Sequence, residues 1–220
     1  MIYYSIVASS IQNSRTYVSV RRAEQARATR AAILDAGFRL FSSRGYATTT
    51  RADIAREAGV AVQTVGAVFG TKRALLQQLV DDATRGGGGA PPLAMRSWLQ
   101  ELRETTTAPE LLRRHARSAA QVSARAAAVV EVVRRAAAAD AEVAGLWDSL
   151  QRQRRQGQAT VVHLLAGLGP VRNGLSREEA ADVLWALTDD ALYDGLVGAC
   201  GWAPERFQAW LGEAMCALLL

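Results

Sequence analysis

The sequence predicts an all-α chain: a three-helix N-terminal unit followed by a larger C-terminal helical domain. Half of the 220 residues are apolar, enough for a substantial core. Alanine, leucine, arginine and glutamate dominate long stretches, and β-branched alternation is scarce, a composition that favours helices. Apolar residues recur at spacings of three and four, the period of an amphipathic helix. The stretch GGGGAPP, residues 86–92, interrupts that pattern, because four glycines are flexible and two prolines resist helix. The expected organisation is a loose tail over 1–22, a helical unit over 23–85, a linker over 86–92 and a helical domain over 93–220.

The elements follow in order. The start, MIYYSIVASSIQNSRTYVSV, has an apolar patch without leading positive charge. It reads as a loose tail, such as translation from an upstream start codon would add, rather than a signal peptide. A first helix is expected from about Glu24 to Ser43, with Ala32, Ile33, Ala36, Phe38, Leu40 and Phe41 on its apolar face and Gly45 after it. Thr49 or Thr50 then caps a short helix through Ala58. Gly59 stands where a left-handed turn is wanted. A third helix is expected from Val62 to Phe69 and a fourth from Lys72 to Ala83, carrying Leu75, Leu76, Leu79 and Val80.

In the larger part, Leu93 to Glu104 carries Trp98, Leu99 and Leu102. Pro109 opens the next helix, with a possible interruption inside LLRRHARSAAQVSARAAAVVEVVRRAAA. Asp140 caps a helix that stops near Gly169 and Pro170. Ser176 and Glu179 form a capping-box pattern ahead of one long helix through Ala199. Pro204 opens the last helix, where Phe207, Trp210, Leu211, Ala214, Met215 and Leu218 form a stripe.

Charge is distributed unevenly. Residues 1–85 carry 12 Lys+Arg against 6 Asp+Glu, a net +6, and the remainder carries 14 against 15, a net −1. A basic module on a near-neutral body points to a polyanionic partner for that module. Cys200 and Cys216 lie in apolar helical surroundings and read as free thiols in a reducing cytoplasm. No long uncharged apolar run occurs, so no membrane span is expected. His115 and His163 are 48 positions apart with no cysteine or histidine at ligand spacing, which argues against a metal site. Neither G-x-S-x-G nor a phosphate-binding G-K-[ST] loop occurs, so neither an enzyme nor a bound cofactor is expected.

Residues 52–69 have the pattern of a helix-turn-helix. Ala55 is small where two helices must cross, Gly59 permits the turn, and Ile54, Val60, Val65 and Phe69 are placed to lock the pair together. The wider stretch ILDAGFRLFSSRGYATTTRADIAREAGVAVQTVGAVFGTKRALLQQLV strongly resembles the N-terminal domain of TetR-family transcriptional regulators, over roughly Arg27 to Val80. The C-terminal forty residues look like the last two helices of many actinobacterial members.

That resemblance implies an all-helical homodimer in the cytoplasm, its paired N-terminal domains seated in successive major grooves of a near-palindromic double-stranded operator. It implies a small-molecule effector bound in the C-terminal domain, which lowers DNA affinity by changing the distance between the recognition helices, most often making the protein a repressor. Three positions depart from the family: Gly66 where tyrosine is usual, Val68 where tyrosine or histidine is common, and Ala61 where serine is common. A phosphate-reaching ring and a helix cap are thereby lost. An alternative is a helical small-molecule-binding dimer whose DNA-binding module is weakened or vestigial.

The expected DNA-facing residues are these. Arg27 and Arg30 would serve an arm along the minor groove. Thr49 and Thr50 sit at a helix start facing phosphate, and Lys72 is a phosphate cation. Arg51 is basic where the family is usually apolar. Gln63 and Thr64 are polar readers of bases. Ala61, Val62 and Ala67 are surfaces for thymine methyl groups, with Gly66 between them. Candidate effector-site residues are Trp98, His115, Trp147, His163, Trp185 and Tyr193. QRQRR at 151–155 reads as a solvated helix face. The dimerisation face is expected from Leu184, Leu187 and Ala191 together with Phe207, Trp210, Leu211, Ala214, Met215 and Leu218, two helices per chain forming a four-helix bundle.

Overall fold

A computed structural model describes the backbone of residues 3–85, 93–172 and 174–220, with side chains from 21 to 85, 98 to 172 and 174 to 220. Among these residues the secondary structure is entirely helical. The expected linker at 86–92 lies outside them.

Helix α1 spans Tyr3–Arg44. Within the stretch expected to be a loose tail over 1–22, it is continuous from Tyr3 onward, and nothing between Tyr3 and Ala36 is a glycine or proline that would stop it. Its buried face comprises Ile33, Ala36, Leu40 and Phe41, at helical spacing. Gly45, at φ +89, ends it with its N–H donating to Phe41 O at 3.1 Å. Helix α2, Arg51–Glu57, opens with a full capping box of Thr50 and Asp53. Gly59, at φ +66, makes the turn into α3, Val62–Phe69. Helix α4, Lys72–Arg85, starts with Thr71 Oγ1 accepting from Ala74 N at 3.0 Å.

Helix α5 covers Leu93–Arg103. Helix α6, Ala108–Ala137, has Pro109 in its first turn and runs without the interruption that the sequence allowed. Asp140 caps α7, Ala141–Ala166, by accepting from Glu142 N and Val143 N. Ser176 and Glu179 form the capping box of α8, Arg177–Leu187. The single long helix expected through Ala199 is broken after Leu187. Thr188 Oγ1 donates to Leu184 O at 2.8 Å, and Asp189 accepts from Ala191 N to restart the chain as α9, Asp190–Tyr193. Side chains that bond the backbone locally compete with helix continuation in this way. A wide helical turn, Asp194–Ala199, follows, and α10 covers Pro204–Leu219.

Two apolar cores result, and neither coincides with a cut at the linker. The first joins α1 to α4 with Val129, Val132 and Val133 of α6 and Val143 and Leu146 of α7. The second joins α5, α8 and α10 with Leu111, Leu112, Ala116 and Ala120 of α6 and Val161, Val162 and Leu165 of α7. Helix α6 therefore belongs to both. At about 1.5 Å per residue, Leu112 and Val132 lie roughly 30 Å apart along one continuous rod.

This packing corrects part of the expected dimerisation face. Leu184, Phe207, Leu211 and Met215 are all buried within the one chain, because the α10 stripe packs on α6 and α8. Of the remaining candidates, Ala191 and Leu218 are exposed, and Leu187, Trp210 and Ala214 are half-buried.

Candidate functional site

Helices α2 and α3 form the helix-turn-helix. Val65 and Phe69 turn inward, and so do Ile54 and Ala55. The opposite face of α3 presents Ala61, Val62, Gln63 and Ala67 to solvent, with Thr64, Gly66 and Val68 half-buried. Ala61 supplies no side-chain cap, so the N-terminus of α3 keeps free backbone donors. Val62 is 45% exposed. Gln63 is the one fully exposed side chain on this face with both a donor and an acceptor.

Several of the expected phosphate contacts have other work. Thr49 is 1% exposed. Its hydroxyl donates to Gly45 O at 2.8 Å and locks the turn between α1 and α2, so it cannot face a duplex. The Thr50 hydroxyl is engaged with Asp53. Lys72 Nζ donates to Tyr46 O at 2.7 Å and to Thr49 O at 3.0 Å and lies 4.1 Å from the centre of the Tyr46 ring. Burial pulls its pKa down from the usual lysine range. Lys72 thus clamps turn carbonyls that have no helical partner. Arg30 donates to Gln78 Oε1 at 2.7 Å and its guanidinium sits 4.5 Å over the Phe69 ring, bracing α1 against α3 and α4.

The exposed cations are placed differently. Arg27 is exposed on α1. Arg51 is exposed on α2, and its Nη1 donates to Gly70 O at the end of α3 at 3.1 Å. A Cβ built on Gly66 would lie 3.8 Å from that same Nη1. The guanidinium therefore occupies the side of α3 left bare by the glycine, a cross-helix placement that the sequence did not disclose.

The expected effector-site residues separate into two groups. His115 is buried in the middle of the second core, and its Nε2 lies 2.7 Å from Gln158 Oε1. Burial pulls its pKa down to about 4, against the opposing hydrogen bond from Gln158, so the imidazole is neutral. Trp98 packs beside it, ring centres 5.8 Å apart. Gln158 continues through its Nε2 to Thr188 Oγ1 at 3.1 Å, linking α6, α7 and the end of α8. Trp185 is flanked by Arg154 and Arg155, and Tyr193 meets the edge of Phe207 at 5.1 Å. Trp147, by contrast, packs against the first core, and His163 is exposed. Trp147 sits at the other end of α7, against a different core, and His163 lies on the outward face of α7, so neither belongs with His115.

Polar residues that the sequence reading passed over complete this interior. Ser123 Oγ donates to Asp190 Oδ1 at 2.7 Å, and burial raises the Asp190 carboxyl pKa. Arg154, expected on a solvated face, instead donates to Asp189 Oδ2 and to Trp185 O, both at 3.1 Å. Among the described residues no helix is long and apolar enough to cross a membrane.

Comparison with known proteins agrees with this architecture. The chain resembles the crystal structure of NalD from Pseudomonas aeruginosa, described as the secondary repressor of the MexAB-OprM multidrug efflux pump. Identity is 19% over 89% of this chain and 98% of that one, with a TM-score of 0.68. It resembles SmeT in a complex with triclosan at 22% identity, over 88% and 92% of the two chains, with a TM-score of 0.65. It resembles FadR from Bacillus halodurans, a fatty acid degradation regulator, at 16% identity over 85% and 94%, with a TM-score of 0.65. No curated protein matches the chain. These likenesses establish the fold. Residues 33–79 match the family described as bacterial regulatory proteins, tetR family, and that segment is the unit built from the end of α1 through α4. That match identifies the N-terminal unit as a domain of the tetR-family type.

Proposed function

We propose that the protein is a ligand-responsive repressor that binds a near-palindromic operator as a homodimer and is released by a small-molecule effector held in the C-terminal body. The observation that carries this reading is the outward face of α3. Ala61, Val62, Gln63 and Ala67 are exposed on a helix whose other face is locked into the first core. Small apolar groups there can approach thymine methyls, and Gln63 can pair with adenine. Base readout is thin, so affinity rests mainly on phosphate contacts from Arg27, Arg51 and backbone N–H groups around the turn.

Release follows from α6. A molecule bound beside His115 acts on the same rod that supplies Val129, Val132 and Val133 to the DNA-binding unit, so displacement at one end is carried to the other. Arg125 Nε donates to Ala83 O at 3.2 Å and ties α4 to that rod, while Arg73 Nε donates to Glu142 O at 3.2 Å and ties α4 to the start of α7. Pairing of two chains is assigned to the surfaces that keep Leu187, Ala191, Trp210, Ala214 and Leu218 accessible. SmeT, a protein of the same fold, is known in a complex with triclosan, which supports an effector role for the equivalent body here.

The test is fluorescence anisotropy with the chain's own upstream intergenic DNA against a random duplex, from roughly 50 to 200 mM salt. Specific binding that weakens linearly on a log–log salt plot is expected, and Gly66→Tyr, which restores an aromatic phosphate contact, is expected to bind more tightly. Binding no stronger than to random DNA would overturn the reading.

A further inference from the structure

Among the described residues three buried polar atoms have no hydrogen-bond partner: Trp98 Nε1, His115 Nδ1 and Trp185 Nε1. Buried polar groups are almost always satisfied, and an exception calls for an explanation. Two of the three belong to neighbouring rings.

The hydrogen-bond chain fixes which kind of atom each one is. Thr188 Oγ1 donates its proton to Leu184 O, so toward Gln158 it accepts, and the group facing it is the Gln158 amide N–H. The amide oxygen therefore faces His115, and the histidine answers with a proton on Nε2. A neutral imidazole carries one proton, which leaves Nδ1 as a bare lone pair inside the core. His115 is 3% exposed. Trp98 Nε1 is the reverse case, an N–H donor with nothing to receive it. One unmet acceptor and one unmet donor thus stand on rings whose centres are 5.8 Å apart.

We propose that this interior binds a neutral, largely apolar molecule bearing a hydroxyl group, whose O–H donates to His115 Nδ1 and whose oxygen accepts from Trp98 Nε1–H. The proposal rests on reading the C-terminal body as an effector domain and names the chemistry that it selects. A hydroxyl is the smallest group that meets both needs with one atom. An ether or ketone can satisfy only the tryptophan. A carboxylate would set negative charge against the Nδ1 lone pair, and no charged group acts on His115 to offset it. An ammonium would leave the tryptophan N–H unmet. The remainder of the molecule would rest on the apolar side chains of the second core, as in most small-molecule sites.

The test is isothermal titration of the full-length protein, without DNA, with 2-naphthol, 4-tert-butylphenol and 1-decanol, each beside its methyl ether. The expected result is that at least one hydroxyl probe binds about tenfold more tightly than its ether, the range for losing a buried hydrogen bond. Trp98→Phe, which keeps a ring and removes the N–H, should weaken hydroxyl and ether probes alike and leave the gap between them, because both oxygens accept from that N–H while only the hydroxyl donates to His115 Nδ1. Equal affinity for hydroxyl and ether, or no binding by any hydroxyl probe at millimolar concentration, overturns the proposal. The comparison on the parent protein decides the matter even if the variant does not fold. Because DNA is absent from the titration, failure here leaves the operator-binding reading intact, and failure of that reading leaves this one intact.

Discussion

Gly66 and Gly37 are both helical glycines in the N-terminal unit, yet alanine at the two positions should have opposite effects. At Gly66 an added methyl would meet only Arg51 Nη1, at 3.8 Å, an ordinary contact with the mobile end of an exposed side chain. The substitution removes the conformational freedom that glycine gives the unfolded chain and restores helix propensity, together worth up to about 1 kcal/mol. For a chain of this size that raises Tm by roughly 2–4 °C. At Gly37 the same methyl would fall 2.6 Å from Leu75 Cδ2, and Leu75 is 1% exposed in the middle of the first core. Overpacking of that kind costs about 1–3 kcal/mol, enough to cancel or exceed the propensity gain. Thermal denaturation followed by circular dichroism measures both. The expected outcome is a higher Tm for Gly66→Ala and a lower one for Gly37→Ala. A rise for both would mean that propensity alone governs and that the α1–α4 contact yields freely. A fall at Gly66 would mean that the Arg51 bridge beside it needs the bare backbone.

Two further outcomes follow from the same contacts. Thr49→Val should cost about 1–2 kcal/mol of stability through the lost bond to Gly45 O while leaving the DNA affinity of the folded protein unchanged; a loss of affinity in the folded variant would return Thr49 to the DNA surface. His115, with its folded pKa near 4 and an unfolded value near 6.5, should make stability fall as pH drops. Below about pH 6.5 the unfolded chain takes up a proton that the native chain refuses, so about 3 kcal/mol is lost by pH 4 and the burial is without penalty above 6.5. Urea titrations across that interval check this, and a His115→Gln variant with the same acid slope would assign the effect elsewhere.

Local signals were legible in the sequence wherever the chain is its own neighbour. The caps at Thr50, Asp140 and Ser176, the turn glycines 45 and 59 and the ends of α3 are all short-range chemistry, and the folded chain keeps them. What the sequence concealed depends on partners far along the chain. Lys72 reads as a free cation until Tyr46 O and Thr49 O are seen beneath it, 26 and 23 residues away. The α10 stripe could face a second chain or its own, and only the packing of α6 decides that Phe207, Leu211 and Met215 turn inward. Gln158 carries no signal of its own in the sequence, yet it is buried, with His115 and Thr188 meeting both ends of its amide. Residues 188–189 broke an expected helix because two short polar side chains favoured their own backbone.

The sharing of the first core between α1–α4 and the α6–α7 hairpin bears on how this molecule can be dissected. Cutting at the glycine run would look natural, yet the excised head would be missing five aliphatic side chains that roof it: Val129, Val132, Val133, Val143 and Leu146. The N-terminal unit and the helices behind it are thus one cooperative object, and exchanging that unit between relatives would require transplanting the hairpin tip along with it.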